Sequence, residues 1–469
     1  MEGFHKSGGS AMRYRGIRLN GGFTDIGATC VSYEDAKAHG SENSSNNAWI
    51  FNFSNGQVNN NNKYNSNYVR AVTAFGGWAP FLISMFEAFN ECMKGKRTSP
   101  QAIEYMDIAY YDIELLAFEV YIGVYYPTTS TCFMVLFPKL REVFAAALRD
   151  RIIHHWICIR LMPLFEIRCI ELGNVSHACR KGYGTSSAIK SVENGMMKIS
   201  CNGRKEAWLF KGDIVGFFMN IRKDVMWSML YVLITEEYHG AFKDILLRLT
   251  KIVVMHNPEK DCVINSPLSL WQEIEASKSM FYIDDNKGGP IGNLTTQLFA
   301  GYYMSFFDEF VEVLFRGKNY SYTRLVDDFT IICDDRRFLL DSIPLMRNFL
   351  KKKLFLEMHT DKIYFQPVSH GVKFVGVYIH LYRCHIINRT RGRMINKING
   401  YIDEMRHGNL NEMDVRRIAN VLNSYFGFLV HTRSYRIRHD IVTSLPSEFY
   451  RYFYIENFKV VKIKKKYKL

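Results

Sequence analysis

The stretch SYTRLVDDFTIIC, residues 321–333, decides the fold. Arg324-Leu325-Val326 before its acidic pair and Phe329-Thr330-Ile331-Ile332 after that pair read as a strand-like, mostly apolar run. Asp327 and Asp328 sit side by side at the centre of that run, where a strand favours buried side chains. Adjacent carboxylates cost desolvation and mutual repulsion unless something cationic lies beside them. At a hairpin turn neighbouring side chains point apart, so only one of the two need be a direct ligand.

A second carboxylate at the end of another strand would complete a hard, oxygen-rich site suited to Mg²⁺. WLFKGDI, residues 208–214, reads as a strand ending at Asp213 and supplies that carboxylate. Two ions held there would activate a primer 3′-hydroxyl and stabilise a departing pyrophosphate. Taken singly, each feature also suits a plainer role: an acidic pair at a surface turn, and Asp213 as a turn or capping residue. Their order along the chain favours the metal site: a basic strand pair, strand–Asp–aromatic pair, Gly-rich turn and helix, then strand–Asp–Asp.

Bulk composition fits this chemistry. At 469 residues, the chain is long for one core and two or more subdomains are expected. The net charge of +14 favours an anionic partner: nucleic acid, an acidic protein or a membrane surface. The ten cysteines are scattered without a CxxC pair, as reduced intracellular thiols would be, rather than a disulfide framework or zinc site. The N-terminus has no apolar run suited to a signal peptide, and nowhere do eighteen clean apolar residues follow one another. A cytoplasmic protein without a membrane anchor is expected.

Residues 1–75 have a different texture. Eleven of the 25 residues from Asn43 to Asn67 are asparagine, which favours turns. Within them Trp49, Phe51 and Phe53 alternate like a short strand. Helices are predicted after Gly77, over roughly 100–120, through most of 220–254, after Asn293 and over about 388–450, with loop between 255 and 287. The tail from Lys459 carries six lysines in eleven residues, a solvated face or a phosphate-binding one.

The motif order resembles a reverse transcriptase, and its local wording is similar to the enzymes of diversity-generating retroelements, within the bacterial superfamily that includes group II intron polymerases. The resemblance covers about residues 80–435. PKLREVFAAALRDRIIHH (138–155) and NVSHACRKGYGTSSAI (174–189) resemble the fingers blocks. LFKGDIVGFFMNI (209–221) carries the first catalytic aspartate, GGPIGNLTTQLFA (288–300) the template-and-nucleotide helix, and YTRLVDDFTII (322–332) the carboxylate pair. HTDKIYFQPVSHGVKFVGVYI (359–379) resembles the late palm blocks, and LNSYFGFLVHTRSYRIR (422–438) the opening of a thumb.

The resemblance implies an α+β, multidomain, right-hand polymerase. Its fingers and palm, an antiparallel sheet with helices, would occupy residues 76–385, a helical thumb 386–450 and a basic tail 451–469. Asp213, Asp327 and Asp328 would be the catalytic metal ligands, Asp328 the weakest or a supporting group, with the Ile214 carbonyl adding a ligand. The cofactor would be two Mg²⁺ ions, with Mn²⁺ as a substitute, and the substrates dNTPs. Lys139 and Arg141 would neutralise the triphosphate. Arg180 would hold template phosphate or nucleotide, or be structural. Phe218 would pack beneath the sugar and exclude a 2′-hydroxyl, or be a core aromatic beside Phe217. Lys362 would position phosphate or protonate pyrophosphate, or be a surface lysine. Phe374, Val375 and Gly376 would form the primer grip.

The turn Pro290-Ile291-Gly292-Asn293, with Gln297, is the sharpest subgroup signal. Most reverse transcriptases carry a Gln-Gly pair there, and Ile291 removes a polar restraint on the nascent pair. The resemblance implies misincorporation opposite template adenine, in the process of mutagenic retrohoming. Three positions depart from the pattern: Leu325 where a tyrosine is usual, Gly289 where an apolar residue is common, and Thr296 for serine. The implied partners are a retroelement template RNA, its cDNA and primer, and a basic accessory variability protein forming an oligomer. Within the lead, residues 46–72 resemble the C-terminal variable region of the lectin-like targets of such elements, which leaves residues 1–75 as either translated template repeat, since asparagine codons are adenine-rich, or a lectin-like fragment. Rival readings are a group II intron or retron polymerase, and a non-catalytic RNA-binding scaffold that keeps the polymerase fold.

Overall fold

The computed structural model describes residues 77–96, 100–136, 139–360, 363–408, 410–430, 432 and 434–467. Within residues 1–76 it describes the backbone of six short strands only, so both readings of the lead lie outside the described residues. Those strands pair as β1 (Ile17–Leu19) with β2 (Gly22–Thr24), β3 (Thr29–Cys30) with β6 (Val69–Arg70), and β4 (Asn47–Asn52) with β5 (Gln57–Asn62). The remainder is mixed α/β, and the chain divides into two compact units, residues 1–165 with 221–299 and residues 166–220 with 300–469. Each unit is discontinuous in sequence, a division that local composition does not reveal.

The first unit is largely helical around a small sheet. Its helices are α1 (Trp78–Met93), α2 (Pro100–Ile122), the start of α3 (Leu148–Glu171), α6 (Lys223–Glu237) and α7 (Lys243–Met255). Trp156 is fully buried; its indole N–H donates to Ser84 Oγ at 2.8 Å and its ring meets Phe81 edge-on at 5.6 Å. Burying a side chain of that size and satisfying its one donor is what makes tryptophan stabilising in a core. The sheet runs β10 (Cys262–Ile264), β7 (Ser130–Val135), β8 (Arg141–Ala145), with β10 parallel to β7 and β8 antiparallel to it. Inside it the buried Glu142 accepts from Met280 N at 2.7 Å, Ser279 Oγ at 2.7 Å and Trp271 Nε1 at 2.8 Å. The loop between 256 and 290, irregular as its polar sequence predicts, is thereby tied to the sheet by one charge-assisted node.

The second unit holds a four-stranded antiparallel sheet in the order β11 (Tyr320–Leu325), β12 (Asp328–Cys333), β9 (Trp208–Gly212), β13 (Tyr364–Pro367). Strand alternation divides it into two faces. Phe329 on one face meets Phe307 of α8 (Leu294–Leu314) edge-on at 5.1 Å. On the opposite face Leu209 and Ile332 join a core with α4 (Thr185–Ile199) and the sheet β14 (Val372–Phe374), β15 (Val377–His380), β16 (Arg383–Ile386). Helices α10 (Asn388–His407), α11 (Glu412–Val430), α12 (Tyr435–Thr443) and α13 (Ser447–Tyr452) extend that core, matching the helical reading of 388–450. α5 (Phe217–Asn220) is a single turn after β9, and α9 (Arg336–Lys353) follows β12. The lysine-rich end carries a strand pair. β17 (Phe453–Glu456) and β18 (Val460–Ile463) pair, because Val460-Val461 and Ile463 interrupt the lysines and Val461 is buried.

Candidate functional site

The acidic pair forms the tip of the β11–β12 hairpin. Leu325 pairs with Asp328, leaving Val326 and Asp327 as a two-residue turn. Val326 has φ 60°, a left-handed conformation that a β-branched residue rarely adopts. Asp327 is not in the positive-φ region, so the turn has the φ signs of type II′, one of the two that match strand twist.

β12 also pairs with β9, with Phe329 opposite Gly212. One further step along that register brings Asp328 opposite Asp213, on the face shared with Lys211 and Thr330. The strands come close where glycine stands: a Cβ on Gly212 would lie 2.4 Å from the Phe329 ring. Beyond β9 the backbone is clipped by a second segment. Asp213 O accepts from His359 N at 2.9 Å and Glu357 O accepts from Val215 N at 2.8 Å, flanking a bridge between Ile214 and Met358. That pairing uses the carbonyl of Asp213 and the N–H of Val215, and leaves the Ile214 carbonyl outside it. His359 Nε2 also approaches Asp213 Oδ2 at 3.9 Å.

Arg324, in β11, is fully buried and fixes the turn. Its Nε donates to Asp308 Oδ1 at 2.6 Å, and its Nη1 donates to the Val326 carbonyl at 3.0 Å. Tyr322 Oη donates to the same Asp308 at 2.7 Å. Burial works against the Arg324 charge, but the Asp308 carboxylate more than offsets it and the guanidinium is held above its usual range. Asp308 also helps burial to push the Tyr322 phenol up.

Lys211 Nζ lies 3.1 Å from Asp328 Oδ1 and 5.8 Å from the centre of the Phe374 ring. The cation that a pair of adjacent carboxylates calls for is therefore in part supplied by the chain itself. The donor chemistry, carboxylate oxygens on adjoining strand ends, suits a hard divalent ion. Among the described residues, however, no group of three or more His, Cys, Asp or Glu side chains is gathered as an ion would require. Asp328 faces Lys211, while Asp213 stands at the end of β9 and Asp327 in the adjoining turn.

The other expected residues fall as follows. Phe218 is half-buried, 5.2 Å from the buried Phe217 ring. Arg180 makes a two-pronged contact with Glu166, Nε at 2.9 Å and Nη2 at 2.6 Å, donates to the Ser176 carbonyl and lies over Tyr183. That hydrogen bonding holds the Glu166 carboxyl below its usual range, and an arginine so engaged acts as a local brace. Phe374 is buried, and Val375 and Gly376 make the two-residue β14–β15 turn, with φ 40° and 90°. Lys362 lies outside the described residues.

In the first unit, Lys139 and Arg141 are exposed at the start of β8. The Ile291 carbonyl accepts from Phe144 N at 2.8 Å, and Asn293 Oδ1 accepts from Ala146 N at 3.3 Å. A Cβ on Gly292, at φ 133°, would lie 2.5 Å from the Phe144 carbonyl oxygen, which accounts for glycine in that turn. Pro290 precedes the turn, and Gln297 is exposed in α8. Sequence reading missed Lys211, Arg324, Asp308 and His359. The available signals were a cation within a strand two residues before Asp213 and a lone aspartate within the apolar α8.

No family model matches the chain, and the comparison with curated proteins gives no match. Among solved structures the chain is similar to the apo telomerase of Candida tropicalis truncated from its C-terminal domain, at 13% identity and TM-score 0.40, over 55% of each chain. It is also similar to the telomerase of Candida albicans in complex with a TWJ fragment of telomeric RNA, at 12% identity and TM-score 0.38, over 67% of this chain and 58% of that one. The likeness is distant and spans little more than half of each telomerase chain. Among the described residues, no helix is long and apolar enough to cross a membrane.

Proposed function

We propose that this chain is an RNA-directed DNA polymerase that copies a retroelement template RNA into cDNA, with errors concentrated opposite template adenine. The observation that carries the reading is the β9–β12 register, which sets Asp213 opposite Asp328 and puts Asp327 at the adjoining turn. Asp213 and Asp327 would hold Mg²⁺, with the Ile214 carbonyl available beside them. A metal held there would lower the primer-hydroxyl pKa and neutralise the leaving pyrophosphate.

The chain's own residues do the rest. Arg324 fixes the turn on which Asp327 stands. Lys211 offsets part of the adjoining Asp328 charge. Lys139 and Arg141 are the proposed triphosphate contacts, Phe218 the proposed sugar gate, and Val375-Gly376 the proposed primer contact. The proposed partners are the template RNA, its primer and cDNA, and a basic accessory oligomer.

Primer extension on the retroelement RNA, with accessory protein, dNTPs and Mg²⁺, tests this reading. Full-length cDNA with errors at template adenines is expected, and none from Asp327→Ala, which should still bind RNA. Synthesis persisting in Asp327→Ala would sink the two-metal assignment. The Lys211–Asp328 contact favours one alternative, an RNA-binding scaffold without turnover. Tight RNA binding with no cDNA from the native chain would select that alternative.

A further inference from the structure

The sheet β14–β15–β16 has an outer face that the polymerase reading does not use. Phe374, Val377, Ile379, Cys384 and Ile386 point into the core on its inner face. On the outer face Lys373, Tyr378 and His385 form one cross-strand row, and His380 and Arg383 the next. Three rings lie nearly parallel there. Tyr378 and His380 are 4.5 Å apart at 28°, Tyr378 and His385 5.7 Å apart at 11°. Lys373, Arg383 and His385 are exposed.

Two further observations point to an anionic, planar ligand. A cavity of about 460 Å³ is lined by Lys373, Tyr378, His385 and the segment Ile386–Arg389, within the size range of small-ligand pockets. Residues 371–393 contain five Lys or Arg, two His and no Asp or Glu, so no acidic side chain of this segment itself competes for an anion. Flat rings beside cations, with a cavity between them, are what an unpaired nucleotide requires: a π-face for the base and positive charge for the phosphate.

We propose that the outer face of β14–β16 holds single-stranded nucleic acid, one unpaired base stacking on Tyr378 and His385 and the adjoining phosphate meeting Lys373 and Arg389. Strand alternation puts this site on the opposite side of the sheet from the core that contains Leu209 and Ile332. It is therefore a strand-holding site distinct from the Asp213–Asp327 centre, and it does not depend on catalysis there.

The test is fluorescence anisotropy of the full chain with labelled twelve-nucleotide oligo(dT) and oligo(U), each with and without an abasic position. The double variant Tyr378→Ala/His385→Ala should bind about 5-fold or more weakly and lose discrimination against the abasic strand. Tyr378→Phe should keep both. Lys373→Glu/Arg389→Glu should flatten the salt dependence, whose slope falls by about 0.7 per lost phosphate contact. The stronger binder of the two strands identifies RNA or DNA as the ligand. Native affinity and abasic discrimination in the ring variant would overturn the proposal. Should that variant fail to fold, photocrosslinking of a 5-bromouracil strand to the native chain decides: adducts within 378–389 support the site, and adducts confined elsewhere, Val375-Gly376 included, reject it. Primer extension by the native chain and by the ring variant is read from the same preparations, so failure of the polymerase reading and failure of this one are separable.

Discussion

Arg324 and Asp308 form an ion pair in which the two side chains are 0% and 1% exposed, sixteen residues apart in sequence. A pair this dry gains little over an apolar pair of the same volume, yet removing one partner leaves an uncompensated charge. Arg324→Ala should therefore destabilise the protein by about 3–5 kcal/mol. Arg324→Met combined with Asp308→Leu and Tyr322→Phe should recover most of that loss, because neither a buried carboxylate nor a buried phenol is then left unpaired. The triple variant should nevertheless fail in primer extension, since nothing then grips the Val326 carbonyl beside Asp327. Urea midpoints and cDNA yield, measured together, separate the two roles; full yield from the triple variant would remove Arg324 from the positioning of the turn.

Gly212 should not tolerate a side chain. An added methyl would fall 2.4 Å from the Phe329 ring, and overpacking of this kind costs about 1–3 kcal/mol. Gly212→Ala should lower the urea midpoint, and Phe329→Leu in the same chain should restore part of it. A Gly212→Ala protein as stable as the native one would contradict the register between β9 and β12.

His154 makes stability sensitive to acid. It is buried, its Nδ1 lies 2.6 Å from Thr295 Oγ1, and desolvation pushes its pKa from 6.5 down to about 3. A folded-state pKa below the unfolded one means that the unfolded chain takes up the proton first. This contribution is whole above pH 6.5 and is lost as pH falls toward 3. At pH 5 the loss is about 2 kcal/mol relative to pH 7. His154→Gln should abolish that share of the difference in unfolding free energy between pH 7 and pH 5; an unchanged difference would show that other groups cause it.

Ile291 offers a test of fidelity. Its backbone carbonyl already serves Phe144 N, so the turn should survive a change of side chain. Ile291→Gln restores a polar group and should reduce errors opposite template adenine without reducing cDNA length. Sequenced products with the native error spectrum would remove Ile291 from fidelity.

Local features were legible because they repeat at short range. Aromatic and β-branched runs marked β9 and β12, Gly292 and Asn293 announced α8, and Asp213 with Asp327-Asp328 stood out as charges within apolar strands. Contacts spanning long stretches of chain were not. Lys211 reads as an ordinary strand cation until β12 is placed beside β9 and Asp328 arrives at 3.1 Å. Arg180 reads equally well as a phosphate ligand, and only the folded chain shows Glu166 meeting it. The outer rings of β15 and β16 were hidden for the same reason: Tyr378 and His385 become neighbours through pairing, not through spacing.

The register of β12 on β9 also limits how this chain can change in length. Side chains in a strand alternate, so one residue gained or lost between Trp208 and Asp213, or between Asp328 and Cys333, would turn the acidic positions toward the face packed on α8. Paired insertions would preserve their parity, as would length changes in the segment joining α9 to β13. Lineages of this fold should thus accumulate insertions freely in connecting loops while holding the two strands at constant count, a pattern that follows from pleat geometry even before selection on chemistry is considered.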